Sequence, residues 1–220
     1  MKNLFLVIGT IFLIILFLVS VHFKEGLGFD NDPSQFSEPS IYPDFITEDD
    51  ANYILEKAAY NYTDSTVVGS KADGIRKSET YWLSKEDEVA KKIINKVCQI
   101  DGNNTENAED IQVVKYQPNG YYREHHDSCC EEGDKCNEFN KEGNRILTMV
   151  IYLNDDFDGG STRFPNLDKD FKPKKYSGIL FYPMNKKGDK CHDNSLHAGM
   201  PITSGEKYIA NVWIRDKHFR

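Results

Sequence analysis

The 220-residue sequence has no surplus of positive charge and no basic strip. Its 27 Lys and Arg face 35 Asp and Glu, a formal net charge of −8, and a chain of that sign repels a phosphate backbone unless a local cluster overrides it. Nucleic acid is thereby set aside as a partner. Internal repeats and low-complexity tracts are also missing. With 39% hydrophobic and 12% aromatic residues, disorder throughout is excluded in favour of one well-buried domain plus a tail. The apolar run near the start lacks a small-x-small cleavage site. The cysteines, Cys98, Cys129, Cys130, Cys136 and Cys191, lack the spacing of any regular zinc module.

What is present begins with that apolar run. LFLVIGTIFLIILFLVSVHF (4–23) carries no charge, and about 20 such residues let a helix cross the hydrocarbon core. Residues 1–23 are therefore expected to form a transmembrane signal anchor, because a cleaved signal peptide has a shorter apolar core. Asn61-Tyr62-Thr63 and Asn103-Asn104-Thr105 fit the glycosylation acceptor pattern. The cysteines suit an oxidising compartment, with one or two disulfides and at least one thiol left over. Together these features lead to the expectation of a single-pass membrane glycoprotein whose globular part lies in the endoplasmic reticulum lumen.

Residues 24–45 hold three prolines and little apolar periodicity, which reads as a stalk. The globular domain is then 46–220. Thr47 is an N-cap with acids behind it, and Ala51, Ile54, Leu55, Ala58 and Ala59 follow at helical spacing. A second helix is expected from Ser84, with Val89, Ile93, Ile94 and Val97 on one face and Cys98 beside it as a small core residue. From Ile111 the texture changes to β-branched and aromatic runs, IQVVKYQ, RILTMVIYLN, GILFYPM and KYIANVWIR. Helices first and strands after predict a mainly β fold, an antiparallel sandwich or barrel covered by N-terminal helices.

The stretch HHDSCCEEGDKC (125–136) gathers metal-binding residue types. On a strand, His125 and Asp127 point to one side while His126 faces away and packs or orients the loop. His197 is a candidate third ligand, and two histidines with one carboxylate on one face are typical of non-haem Fe(II) oxygenases. Ten residues later, Lys207 stands at the inner end of a strand, where an anion such as a dicarboxylic cosubstrate would meet it. Tyr116 on a neighbouring strand adds a hydroxyl donor. H-x-D alone occurs often by chance; the distant His and the Lys ten residues on make the pattern specific. Cys129, Cys130, Cys136, His126, Cys191 and His192 have the donor types of a zinc site, but disulfides or a loop staple are the expected use. Trp213 reads as core, and His22, His192 and His218 as surface or linker residues.

VVKYQPNGYYREHHD (113–127), RILTMVIYLND (145–155), GGSTRFP (159–165), SGILFYP (177–183) and SLHAGMPITSGEKYIANVWIR (195–215) agree in order and spacing with one known family. Over residues 46–215 the chain resembles the prolyl 4-hydroxylase family of Fe(II)- and 2-oxoglutarate-dependent dioxygenases. The resemblance implies a double-stranded β-helix, or jelly roll, and hydroxylation of proline in a peptide, with ascorbate as auxiliary reductant. It implies His125, Asp127 and His197 as iron ligands, Lys207 as partner of the distal carboxylate of 2-oxoglutarate, and Tyr116 in the cosubstrate pocket. Arg76 and Ser78, in GIRKSETYWL, match residues near the peptide groove more loosely. Asn119-Gly120 stands where relatives have Gly-Gly, and Met200 where they commonly have cysteine; neither change touches a ligand. A relative acting on another residue or a free amino acid is the rival within the enzyme class, and a non-catalytic jelly-roll binding module the rival outside it.

Overall fold

The first helix is set by its cap. Thr47 Oγ1 accepts the Asp50 N–H at 3.2 Å and Asp50 returns a carboxylate oxygen to the Thr47 N–H at 3.1 Å, a reciprocal capping box that starts α1 (Glu48–Ala58). Thr47→Ala removes one half of that exchange and is expected to cost about 1 kcal/mol. For a domain of this size that lowers the melting temperature by about 2–4 °C, read by circular dichroism. The second helix starts later than Ser84. Residues 84–87 are spent in a turn closed by the Asp87 N–H on the Ser84 carbonyl at 2.9 Å. Asp87 then caps Val89 and Ala90, giving α2 (Glu88–Asp101), which ends at Gly102 with φ 69°, the left-handed position glycine tolerates.

The computed structural model describes residues 28–67, 70–71, 74–130, 136 and 141–220. Strands β1 (Phe29–Asp30) and β2 (Ser40–Tyr42) precede α1. Between the helices lie β3 (Thr63–Asp64), β4 (Thr66–Val67), β5 (Ser70–Lys71), β6 (Arg76–Lys77) and β7 (Glu79–Leu83). After α2 come β8 (Ile111–Tyr116), β9 (Tyr121–His125), β10 (Arg145–Tyr152), β11 (Asp158–Gly159), β12 (Thr162–Phe164) and β13 (Lys169–Phe171). The chain ends with β14 (Gly178–Phe181), β15 (Cys191–His192), β16 (His197–Gly199), β17 (Ile202–Ser204) and β18 (Lys207–Arg215). The major sheet runs β2-β14-β10-β18-β8-β7-β3 and the minor sheet β13-β12-β16-β9-β6. Their pairs are antiparallel, and strands distant in sequence lie side by side, as in a jelly roll. The turn into β9 uses Asn119 at φ 63°, as expected of Asn.

Alternation along the central strands divides them between two tasks. Ala210, Val212 and Ile214 of β18, Val113 of β8, and Leu147, Met149 and Ile151 of β10 pack with Ile54, Ile93, Ile94 and Val97 of the helices. The opposite parity, including Ile209, Val114, Tyr116, Val150 and Tyr152, joins Phe164, Phe181 and Ile202 between the sheets. That inner layer holds a cleft of about 440 Å³. Cys98 is buried with the helical layer, and burial pushes its thiol up to about 11, as befits an inert core residue.

Two expectations are corrected. The stalk is folded from Gly28 on: β2 extends the major sheet by pairing with β14, β1 pairs with β15, and Phe36 and Phe45 are buried. Its few apolar residues are irregularly spaced, so no period announced them. The single-pass membrane protein of the endoplasmic reticulum is also withdrawn. Among the described residues no helix is long and apolar enough to cross a membrane; the run at 1–23 lies outside them.

Candidate active site

Register brings the two halves of the site together. β9 pairs with β16 so that His125 lies directly across from His197. Asp127, just past the end of β9, still projects to the side of His125. Ligand atoms of the three residues lie within 4.8 Å of one another, with Asp127 Oδ1 3.7 Å from His125 Nε2 and 3.8 Å from His197 Nε2.

The surroundings select which atoms face inward. His125 Nδ1 lies 2.8 Å from the Arg123 carbonyl and His197 Nδ1 3.0 Å from that of Ser195. A carbonyl only accepts, so each Nδ1 carries a hydrogen and each Nε2 is the ring nitrogen turned toward the centre, where it could bind a metal. Asp127 Oδ2 accepts from Thr148 Oγ1 at 2.7 Å and Trp213 Nε1 at 3.0 Å, leaving Oδ1 for the centre. Burial works to raise the Asp127 carboxyl, but His197, His125, Arg145 and the Thr148 bond outweigh it and hold it at about 2. Burial and the nearby His197 keep His125 well below the usual imidazole range. Two imidazole Nε2 atoms and one carboxylate oxygen converging on one point fit a divalent iron.

Behind Asp127, the Arg145 guanidinium lies 3.5 Å from the centroid of the Trp213 ring. Arg145 is held by Glu109 at 2.6 and 2.8 Å, and Arg215 joins the same carboxylate at 2.8 Å. Burial opposes the charge on Glu109, yet the two arginines keep its carboxyl below the usual range. Trp213 is therefore more than core: it orients a ligand. Its place on β18, an even number of residues from Lys207, is the signal that could have shown it. Trp213→Phe keeps an aromatic ring but loses the pyrrole half of the indole with its N–H, and is expected to weaken Co(II) binding by about tenfold or more, as loss of outer partners does. A Co(II) titration by absorbance checks it.

Lys207 opens β18 opposite Tyr116 and is 2% exposed. Its Nζ donates to the Gly160 carbonyl at 2.6 Å and the Tyr152 hydroxyl at 3.3 Å. Among the described residues no carboxylate pairs with it, and burial, helped by Lys172, lowers its ammonium to about 7. Burying such a group without a counter-ion is costly, and an anion bound beside it would offset that cost. Tyr116 lines the same cleft, its ring centroid 5.6 Å from Lys207 Nζ, and burial raises its hydroxyl.

Arg76 and Ser78 lie close to the Tyr116 hydroxyl, whose pKa both act to lower. Arg76 lines the cleft, stacks 4.7 Å from the Tyr122 ring centroid and donates to Ser78 Oγ at 2.7 Å; Tyr122 in turn stacks on His125 at 3.6 Å. Trp82, 46% exposed, stands at the open rim.

The cysteine-rich stretch forms two disulfides, Cys129–Cys136 and Cys130–Cys191, which uses its thiols and leaves none for zinc. His126 packs on Phe29 at 4.9 Å and contacts Ser195 Oγ at 3.1 Å, as expected of a residue that orients the loop. His192 differs from expectation: it is 1% exposed, bonded to the Asp32 carbonyl at 3.0 Å and packed on Phe36. The folded N-terminal segment covers it. His218 is exposed, as expected, and His22 lies outside the described residues.

The 2OG-Fe(II) oxygenase superfamily matches residues 111–215, from the first residue of β8 to the last of β18. A chain of Acanthamoeba polyphaga mimivirus assigned as a prolyl 4-hydroxylase is 42% identical over 200 residues, covering 90% of this chain and 83% of the relative. Prolyl 4-hydroxylase subunit alpha-1 of Caenorhabditis elegans is 29% identical over 80% of this chain, which spans 33% of that longer subunit. The crystal structure of the viral collagen prolyl hydroxylase of Paramecium bursaria Chlorella virus-1 in its 2-oxoglutarate complex superposes with a TM-score of 0.66 at 30% identity, over 81% of this chain and 96% of that one. By sequence, fold and the chemistry of its inner cleft, the chain belongs to the prolyl 4-hydroxylase family of Fe(II)- and 2-oxoglutarate-dependent oxygenases.

Proposed function

We infer that the protein hydroxylates proline within a peptide, consuming O2 and 2-oxoglutarate and releasing succinate and CO2. The observation that carries this reading is a single cleft that holds both the ligand triad and a buried lysine without a carboxylate partner, and whose lining includes the half-exposed Trp82. An exposed aromatic side chain among the lining residues gives a peptide chain apolar surface to lie against.

Fe(II), which His125, Asp127 and His197 would hold, would supply with 2-oxoglutarate the oxidising chemistry, one oxygen atom of O2 ending in succinate and the other on the prolyl carbon. The chain's own residues bind, orient and shield. Lys207 and Tyr116 receive the distal carboxylate of 2-oxoglutarate and so direct its keto-acid end toward the triad. Thr148 and Trp213 keep one oxygen of Asp127 occupied and the other inward. Val150 and Ile209 wall the cleft with apolar surface, which limits water where charge must be held. Arg76, braced on Tyr122 and Ser78, stands where the peptide passes and offers it a fixed donor.

The test is succinate release with Fe(II), 2-oxoglutarate and ascorbate, the reductant typical of the family, with and without a proline-rich, collagen-like peptide. Peptide-stimulated turnover and a gain of about 16 Da on proline, the mass of one added oxygen, are expected. Turnover that no proline peptide stimulates, but that a free amino acid or a lysine peptide does, would replace proline as the substrate.

A further inference from the structure

The segment bearing His125 and Asp127 and the segment bearing His197 are far apart in sequence, and the ladder between them is thin. β9 and β16 are matched at His125 with His197 and at Tyr122 with Gly199, with a register shift between. Just past Asp127, adjacent cysteines leave for different destinations. Cys129 bonds Cys136, seven residues on, within its own loop. Cys130 bonds Cys191, 61 residues on, a buried residue that begins the short run leading through Ser195 to His197.

The same two segments meet a second time. His126 Nδ1 lies 3.1 Å from Ser195 Oγ, and the Ser195 carbonyl is the group that fixes the His197 ring at 3.0 Å. Ser195 Oγ is itself held by the Pro183 and His192 carbonyls at 3.0 and 2.7 Å. One covalent and one hydrogen-bonded tie thus run in parallel beside the ligands. We propose that the Cys130–Cys191 disulfide is a positioning element of the metal centre: it holds the Asp127 and His197 segments at ligand spacing, so that affinity for a divalent cation depends on it, whereas Cys129–Cys136 carries no such role. The proposal rests on the reading of the triad as a metal site.

The physical basis is population. A cation that needs all three side chains binds only the fraction of molecules in which both segments are in place, and its apparent affinity falls by that fraction. Within one loop, Cys129–Cys136 does not constrain the distance between the segments. Cys130–Cys191 does.

The experiment is a titration of the full chain with Co(II), followed by its visible absorption, comparing wild type with Cys130→Ser/Cys191→Ser and Cys129→Ser/Cys136→Ser at a temperature where circular dichroism shows all three folded. The dissociation constant is expected to rise about tenfold or more in the first double variant, the loss expected when the competent fraction drops to a tenth, and to stay within about twofold of wild type in the second. Equal affinities in all three, or an equal loss in both double variants, overturn the proposal. If the first double variant does not fold, Cys130→Ala/Cys191→Val, which breaks the same bond but keeps the buried site apolar, takes its place. A rise of about tenfold or more in its dissociation constant supports the proposal, and a constant within about twofold of wild type overturns it. Wild type that binds no Co(II) defeats the metal-site reading and this proposal with it, an outcome distinct from loss confined to a variant.

Discussion

His197→Ala is expected to abolish succinate release and metal binding together. Deleting an outer partner of a ligand costs about 10–100-fold in affinity or activity, and deleting the ligand itself exceeds that, so a loss of at least about a hundredfold is the minimum. The reason lies in how few atoms are available. His125 Nδ1 and His197 Nδ1 are turned toward backbone carbonyls and Asp127 Oδ2 is taken by Thr148 and Trp213. That leaves one inward donor per residue, and among the described residues no other His, Cys, Asp or Glu completes the cluster. Among the described residues nothing nearby replaces a lost imidazole. Parallel assays of succinate and Co(II) binding check the result; a variant that keeps turnover within tenfold of wild type would sink the assignment of His197 as a ligand.

Lys207→Met should act on the cosubstrate instead. A hydrogen bond to a charged group contributes about 1.5–3 kcal/mol, so the KM for 2-oxoglutarate is expected to rise by roughly 10–100-fold while Co(II) binding by the apo protein stays close to wild type. The wild-type pH dependence follows from the same residue. Burial lowers the Lys207 ammonium to about 7 in the free protein, and only the protonated form pairs with a carboxylate. Below that value the receptor is charged and waiting. Above it, binding requires proton uptake, and the apparent KM rises by up to about tenfold per pH unit until the pKa of the complex, raised by the bound anion, is reached. A KM for 2-oxoglutarate that is flat between pH 7 and 9 would show that the lysine is already charged before the cosubstrate arrives. In Lys207→Met the slope should vanish.

The sequence carried more of the reactive site than of its supports. His125, Asp127, His197 and Lys207 are chemically distinctive, and their spacing together is improbable by chance, so they could be found from residue types. The strands announced themselves by β-branched runs and the first helix by its cap. Trp213, by contrast, was hydrophobic on a strand, and only the fold shows that its one N–H meets Asp127. Thr148 is an ordinary strand residue until β10 is laid beside β18. Pairing among five cysteines has many solutions that sequence does not rank. Residues 28–45 contribute single aromatic side chains and two short edge strands, too little pattern to distinguish a packed strap from a linker. In each case the missing information was a contact between segments remote in the chain.

The division of β18 between its two faces also governs how this protein tolerates change. Substitutions at Ala210, Val212 and Ile214 fall on the helix side and should be read in melting curves; those at Lys207, Ile209, Asn211 and Trp213 face the cleft and should be read in kinetics. A single-residue insertion or deletion within the strand spares neither, because it exchanges the two sets at once. Point mutation can therefore alter catalysis and durability independently here, while a one-residue change in length cannot.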